Sequence, residues 1–397
     1  MTIYHVLDGR PKHGMATYMS NFIIIQIFIG AFAASVILTI LIRRLALWLK
    51  IVDQPQVGTR HIHQRPVPLL GGLAIFLAFA LLLIWVYSSP IWPVKKFGLL
   101  EPLSTNAHVI NLKQIIGVLS AGLLLMIGGW LDDKHRQKPL AQIIWPVLAC
   151  LVIIVCGIGI NYINNPFGSG YLYFNHWKIE ILKINGVPFY FTPLADLFTF
   201  IWLMVLMYST KLLDGLDGLV SGIGIIGGLA ILFLSLSLAF FQPDVAMVAA
   251  IFVGAVSGFL IFNFYPAKIF LGEGGSLFIG FMLGALGIIS GAKIATTVLV
   301  LGVPILDLLW VTGHRIFKEK KSPFKGDNQH LHFRLLAAGF SHRSAVTFLW
   351  LVSLVFGFIA LFLRTSGKLM VLGTLIAFVI LLGLLINFKQ RFTRQNV

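Results

Sequence analysis

The chain has 397 residues, of which 58% are hydrophobic and only 11% charged, and its mean hydropathy is +0.92. Soluble domains carry roughly a quarter charged residues, so these values exclude a water-soluble fold and identify a polytopic membrane protein. A net charge of +16 would suggest nucleic acid in a soluble chain. Here the basic residues fall between apolar runs, where anionic headgroups and anionic substrates explain them, and no nucleic acid is expected.

A polar stretch over residues 1–19, without the features of a cleavable signal, leads into apolar runs at about 20–42, 69–89, 111–131, 140–160, 194–210, 219–241, 245–262, 275–292, 294–312, 345–363 and 369–387. Each is near the ~20 residues a bilayer requires. The predicted fold is therefore all-α, one transmembrane domain over residues 1–397 with about eleven spans. If the N-terminus lies outside, twenty of the thirty Lys and Arg fall in inner loops, so the positive-inside rule predicts N-out and C-in. Residues 1–19 are then an outer tail and 388–397 an inner one. Residues 161–193 alternate around Trp177–Ile181 and contain Asn185-Gly186, which predicts a short outer β-hairpin. Residues 313–344, basic and broken by Pro323 and Gly326, read as an inner loop. Cys150 and Cys156 share one apolar run and are expected to pack rather than react.

With that topology most acids gather on the inner side. Asp307 follows Pro304 inside a predicted span, where an acid facing lipid is costly; it either faces the bundle interior as a functional group or aids helix packing through a hydrogen bond. Five polar clusters then line the inner side. The first loop, Asp53 to Gly72, carries Arg60 and Arg65, whose guanidinium groups match phosphate geometry. Asp132 and Asp133 end the third run as adjacent carboxylates, which repel unless a cation intervenes and so suggest a divalent ion, a general base or a solvated helix end. In Lys211-Leu212-Leu213-Asp214-Gly215-Leu216-Asp217-Gly218 two acids three residues apart share one side of a helical or turn-like backbone. Glu273 sits among glycines just before a span, a place for an anion or for a carboxylate already holding a cation. His330, His332 and Arg334 form the fifth cluster. A zinc site there lacks further His or Cys ligands at metal spacing, so the histidines are better suited to a diphosphate or leaving group. Together the clusters suit phosphoryl transfer, with a divalent cation on carboxylates and phosphates on basic side chains.

In this order, Asp132-Asp133, Asp214-Gly-Leu-Asp217-Gly and Asp327-Asn-Gln-His330-Leu-His332 resemble the motifs of the polyprenyl-phosphate N-acetylhexosamine-1-phosphate transferases, glycosyltransferase family 4. That superfamily includes phospho-N-acetylmuramoyl-pentapeptide transferase and the undecaprenyl-phosphate N-acetylglucosamine-1-phosphate transferases. The resemblance implies that the phosphate of a polyprenyl (undecaprenyl) phosphate attacks the β-phosphate of a UDP-N-acetylhexosamine, releasing UMP and starting a cell-envelope glycan. It also implies Mg²⁺, with Mn²⁺ as substitute, and a cytoplasm-facing site in the cell membrane among membrane lipids, with a homodimer left open. Carried over by position, Asp132, Asp133, Asp214 and Asp217 are the catalytic acids, and Glu273 holds metal with Asp132, Asp133 and Asp217. Arg60, Arg65, Lys211, His330, His332 and Arg334 bind substrate. The histidine loop is similar to that of the N-acetylglucosamine branch; transfer of phospho-muramoyl-pentapeptide, or binding without turnover, are the alternatives. Three positions depart from the pattern: Lys211 stands where the family has Asn, Glu273 where it has Asp, and Phe333 where it has the last His. Both Lys211 and Glu273 fall near the implied metal, which suggests an internal Lys–Glu pair replacing part of its charge.

Overall fold

A computed structural model describes residues 12–54, 66–89, 110–165, 168, 170–184, 187–237, 241–291, 293–320, 329–363 and 365–395. Its helices are α1 (Lys12–Trp48), α2 (Gly71–Ser88), α3 (Leu112–His135), α4 (Pro139–Val155), α5 (Pro193–Leu213), α6 (Leu219–Leu236), α7 (Pro243–Asn263), α8 (Gly272–Ile289), α9 (Ile294–Val300), α10 (Gly302–His314), α11 (Leu331–Ala337), α12 (His342–Phe362) and α13 (Thr365–Gln395). Among the described residues nine helices are long and apolar enough to cross a membrane. A tenth crossing results if α9 and α10, bent by 74° at Leu301, count as one. The remaining apolar run, at 140–160, forms α4, which reaches only 17 residues and contains Pro146. The predicted all-α membrane architecture is thus present, with a span count of nine or ten by length and composition.

Lipid leaves no partner for an open backbone, so the chain crosses as helices and places irregular segments at the bundle's ends. At the end opposite the acids, residues 161–193 form two small antiparallel sheets where one hairpin was predicted. Tyr162–Asn164 (β3) pairs with Tyr171–Tyr173 (β4), and Ile179–Ile184 (β5) pairs with Val187–Phe191 (β6) across residues 185–186. At the acid-bearing end a further short pair, Val52–Asp53 (β1) with Val67–Pro68 (β2), closes the first loop. The segment expected as the basic loop 313–344 is partly helical, containing a π-helical turn at Arg315–Glu319, then α11 and the start of α12.

Helix α8 runs through the centre: 89% of its span is buried, against 11% for α13 at the rim. Small residues allow this approach, since without a hydrophobic drive between helices in lipid, close backbone packing does the work. A methyl group at Gly72 of α2 would overlap the backbone of Gly275, and one at Gly129 of α3 would overlap Gly274. These contacts fasten the first turn of α8, which carries Glu273, to the ends of α2 and α3. Strand β2 adds hydrogen bonds at the same place: Phe270 N–H donates to Pro68 O (2.8 Å), and Gly71 and Gly72 N–H donate to Phe270 O (2.9 Å) and Leu271 O (2.7 Å).

Candidate active site

The C-terminus of α3 turns sharply at Arg136, whose backbone is left-handed (φ 48°). That turn folds Gln137 N–H back onto Asp132 Oδ1 (2.7 Å), and Gln142 Nε2, on the first turns of α4, donates to the same oxygen (2.9 Å). Gln142 Oε1 in turn accepts from Lys211 Nζ (2.9 Å). The Lys211 ammonium also forms an ion pair with Glu273 Oε2 at 2.9 Å. Glu273 N–H, unpaired within its own helix because it lies in the first turn, donates to Asp133 Oδ1 (3.2 Å). Two helix ends, of α3 and α5, and two helix starts, of α4 and α8, are thereby joined in a ring of charged and amide groups, and the expected Lys211–Glu273 pair is part of it.

The loop after α5 supplies the next wall. Asp217 Oδ2 accepts from Ala267 N–H (2.9 Å), while Asp217 N–H donates to His342 Nε2 (2.9 Å) at the start of α12. Asp214 caps the C-terminus of α5 with its side chain open to the cleft, and its carboxylate makes no hydrogen bond among the described residues. Burial among the surrounding helix ends, then the carboxylates of Glu273 and Asp217, pushes Asp214 up to about 8. A carboxyl group with this pKa exchanges its proton near neutral pH, as an acid–base catalyst must.

The histidines close the third side. His330 and His332 stack nearly parallel, 5.8 Å apart at 6°. His332 is fully buried with neither ring nitrogen hydrogen-bonded among the described residues, and it presses on Gly215, where a methyl group would collide with Nε2. Burial, reinforced by His330 and His342 against the opposing pull of Asp307, lowers His332 to about 3, so it stays neutral. His330 Nδ1 lies 2.8 Å from Asp307 Oδ2, and Leu331 N–H donates to Asp307 Oδ1 (2.9 Å). Asp307 therefore faces the bundle interior. Arg334 turns the other way, donating to Gly383 O of α13 (2.7 Å).

Of the residues singled out in the sequence, Asp132, Asp133, Lys211, Asp214, Asp217, Glu273, His330 and His332 come to one end of the bundle. Arg334 sits on the same short helix as the histidines but is engaged with α13, and Arg60 and Arg65 lie outside the described residues. Sequence reasoning missed Gln142, which bridges Asp132 and Lys211, and His342, which accepts from the backbone of Asp217. Neither has a periodic or spacing signal. Asp307 was visible as an intramembrane acid but without its partner.

Does this set fit the Mg²⁺ that the family resemblance implies? Asp132, Asp133, Asp214 and Glu273 lie within electrostatic reach of one another, and the ammonium of Lys211 is paired to one of them. Such an excess of hard oxygen donors fits a divalent cation. No three His, Cys, Asp or Glu side chains among the described residues form a ready ligand cage; Mg²⁺ commonly takes one or two carboxylates plus substrate phosphates.

Residues 115–291 match glycosyl transferase family 4, a stretch containing Asp132 through Glu273. The chain is 27% identical to a probable undecaprenyl-phosphate N-acetylglucosaminyl 1-phosphate transferase of Bacillus subtilis, covering 86% of each chain. It is 29% identical to the decaprenyl-phosphate N-acetylglucosaminephosphotransferase of Mycolicibacterium smegmatis, over 82% of this chain and 80% of that one. It is also 30% identical to the phospho-N-acetylmuramoyl-pentapeptide-transferase of Desulforamulus reducens, over 76% of this chain and 83% of the relative.

Proposed function

Since the chain belongs to glycosyl transferase family 4, we propose that it transfers N-acetylglucosamine 1-phosphate from a UDP-sugar to a polyprenyl phosphate. The products are a lipid-linked diphospho-sugar and UMP, and the reaction starts a cell-envelope glycan. The observation that carries this reading is the convergence of Asp133, Lys211, Asp214, Asp217, Glu273, His330 and His332, spread over some 200 positions, at one end of an apolar bundle. A lipid phosphate enters such a site from the bilayer and a nucleotide from water. The two relatives named for N-acetylglucosamine phosphate transfer favour this sugar over the muramoyl-pentapeptide donor.

In this scheme a phosphate oxygen of the lipid forms a bond to the β-phosphorus, and the bond from that phosphorus to the bridging oxygen breaks, leaving UMP. Asp133 and Glu273, joined at the start of α8, would hold Mg²⁺ or Mn²⁺, which would neutralise charge on the diphosphate. Asp214, titrating near 8, takes the proton of a monoprotonated lipid phosphate. Asp217 fixes residue 267 and, through its own backbone, His342, so it shapes the nucleotide side of the cleft. The His330–His332 stack provides hydrogen-bonding nitrogens opposite the acids.

The topology proposed is eleven spans, N-out and C-in, with the site on the cytoplasmic face of the cell membrane. Its support is that Arg43, Lys211, Lys268 and Arg343 meet at the acid-bearing end, Arg43 Nε donating to Lys268 O (3.1 Å) and Arg343 to Tyr265 O (3.3 Å). Helix α4 runs from Gln142 at that end to Cys156, packed on Gly117 near the other, and so supplies the eleventh crossing. The test is movement of radiolabel from UDP-[³²P]sugars into an organic-extractable lipid, with UDP-N-acetylglucosamine, UDP-N-acetylgalactosamine and UDP-N-acetylmuramoyl-pentapeptide compared. Transfer from the first alone is expected. Transfer only from the third would reassign the donor, and nucleotide binding without transfer from any would make the chain a binder.

A further inference from the structure

We propose that Asp307 is a positioning residue for His330, fixing the imidazole with its proton on Nδ1 and leaving Nε2 as the nitrogen that meets substrate. The proposal rests on the transferase reading for its activity arm only.

Asp307 lies in α10, and its side chain and that of His330 are 7% and 6% exposed. Both of its oxygens are used, Oδ2 by His330 Nδ1 at 2.8 Å and Oδ1 by Leu331 N–H at 2.9 Å. His330 is the N-cap of α11 and supplies no side-chain cap of its own; the acid 23 positions earlier caps the helix instead. A single carboxylate therefore sets both where the backbone of α11 starts and how the ring of its N-cap residue is turned. Because a carboxylate only accepts, the facing Nδ1 must carry hydrogen. That fixes the tautomer and the orientation of the ring. His330 then also fixes its neighbour, since the His332 ring is stacked on it and held against Gly215, in the turn between Asp214 and Asp217. Among the described residues the titratable groups facing His330 are Asp307 from α10 and His332 from α11, with Arg334, also drawn to Asp307, on the same short helix and His342 from α12 beside His332.

A helix cap without influence on the ring would show the same hydrogen bond to Leu331, so the test must separate the two roles. Asp307→Asn keeps the shape and one acceptor for Leu331 N–H, but presents an N–H₂ to His330 and so favours the opposite tautomer. Expected is a loss of 10- to 100-fold in kcat, the range typical of a lost orienting partner, with less than a twofold further loss when the substitution is made in a His330→Gln background. An effect under twofold in the wild-type background, or an equal factor in both backgrounds, would overturn the proposal. The second measurement needs no altered Asp307: ¹⁵N-histidine NMR of the detergent-solubilised full chain, with the His330 signal identified by its loss in His330→Gln. A neutral Nδ1–H form supports the proposal, and a neutral Nε2–H form sinks it. If the wild-type chain transfers no sugar phosphate, the transferase reading fails while the tautomer still decides the role of Asp307.

Discussion

Replacing Lys211 by Met removes the ammonium and keeps the length of the side chain. The ion pair to Glu273 is partly screened, the two side chains being 14% and 31% exposed. A fully exposed pair contributes about 0–1 kcal/mol, and deleting one partner of a fully buried pair costs about 3–5 kcal/mol because the other charge is stranded. An intermediate value of about 2 kcal/mol follows for Lys211→Met. With about 2 °C of midpoint per kcal/mol for a large chain, detergent-solubilised protein in EDTA should melt about 4 °C lower than wild type. If the ammonium supplies part of the positive charge that Asp133, Asp214 and Glu273 require, millimolar Mg²⁺ should restore much of that loss in the variant and raise wild type less. Adding Glu273→Gln to Lys211→Met should recover stability rather than lose more, since the stranded charge is gone. An unchanged midpoint for Lys211→Met in EDTA, or an equal rise with Mg²⁺ in both proteins, refutes an internal cation at this place.

Asp214 offers a pH test. Folded, it keeps its proton up to about 8, while the unfolded chain releases it near 3.9; the native state binds more protons in between, so stability falls as pH rises through that window. Asp214→Asn lacks the titration, so its melting advantage over wild type should widen from pH 5 to 8 while transfer is lost, and parallel curves would count against the shifted carboxyl. His332 has the opposite sign in acid: held near 3 when folded and near 6.5 when unfolded, it costs about 2 kcal/mol at pH 5. His332→Gln should therefore be relatively more acid-tolerant than wild type, which a denaturation series from pH 7 to 5 would reveal. Gly129→Ala pushes on the backbone of Gly274 beside Glu273 and is expected to lower both the melting midpoint and turnover. Gly373→Ala, with nothing within 4 Å of the new methyl, should be neutral or stabilising, and equal behaviour of the two would contradict the tight α3–α8 contact.

The spans were legible because lipid permits little else: a run of some twenty apolar residues crosses as a helix. Where the structure departs in detail from the apolar runs and turn signals, local chemistry explains it. The run at 140–160 begins with Pro139 and stops at the positive-φ Gly157, which leaves a helix of 17 residues. The single hairpin became two because Gly168 and Gly170 mark a turn as well as Asn185-Gly186, and turn signals do not say which strands pair. Lys211 and Glu273 could be matched across 62 positions only because both stood at places where the motifs lead one to expect other residues. Gln142 had no such marker; its position is set by the left-handed turn at Arg136 and by Pro139 beginning α4, and a lone amide at a helix start is commonplace. The partner of Asp307 was hidden by the polar stretch between α10 and α11, whose course no periodicity fixes.

The acids differ in how free they are to react. Asp132 is occupied by Gln137 and Gln142, Asp133 by the backbone of Glu273, Asp217 by Ala267, Glu273 by Lys211, and Asp307 by His330 and Leu331. The bonds of Asp133, Asp217, Glu273 and Asp307 tie together segments distant in sequence, and those of Asp132 fasten the turn from α3 into α4, so losing any of the five should disturb the geometry as well as the charge. Asp214 alone among the six has a carboxylate without a hydrogen bond in the described residues, and it is also held near 8. A group held in place by its backbone, open to the cleft and titrating close to neutrality is free to exchange a proton or accept a cation without unfastening the site. Activity lost on changing Asp214 should therefore come with retained or improved folding, while for the other five the two should fall together.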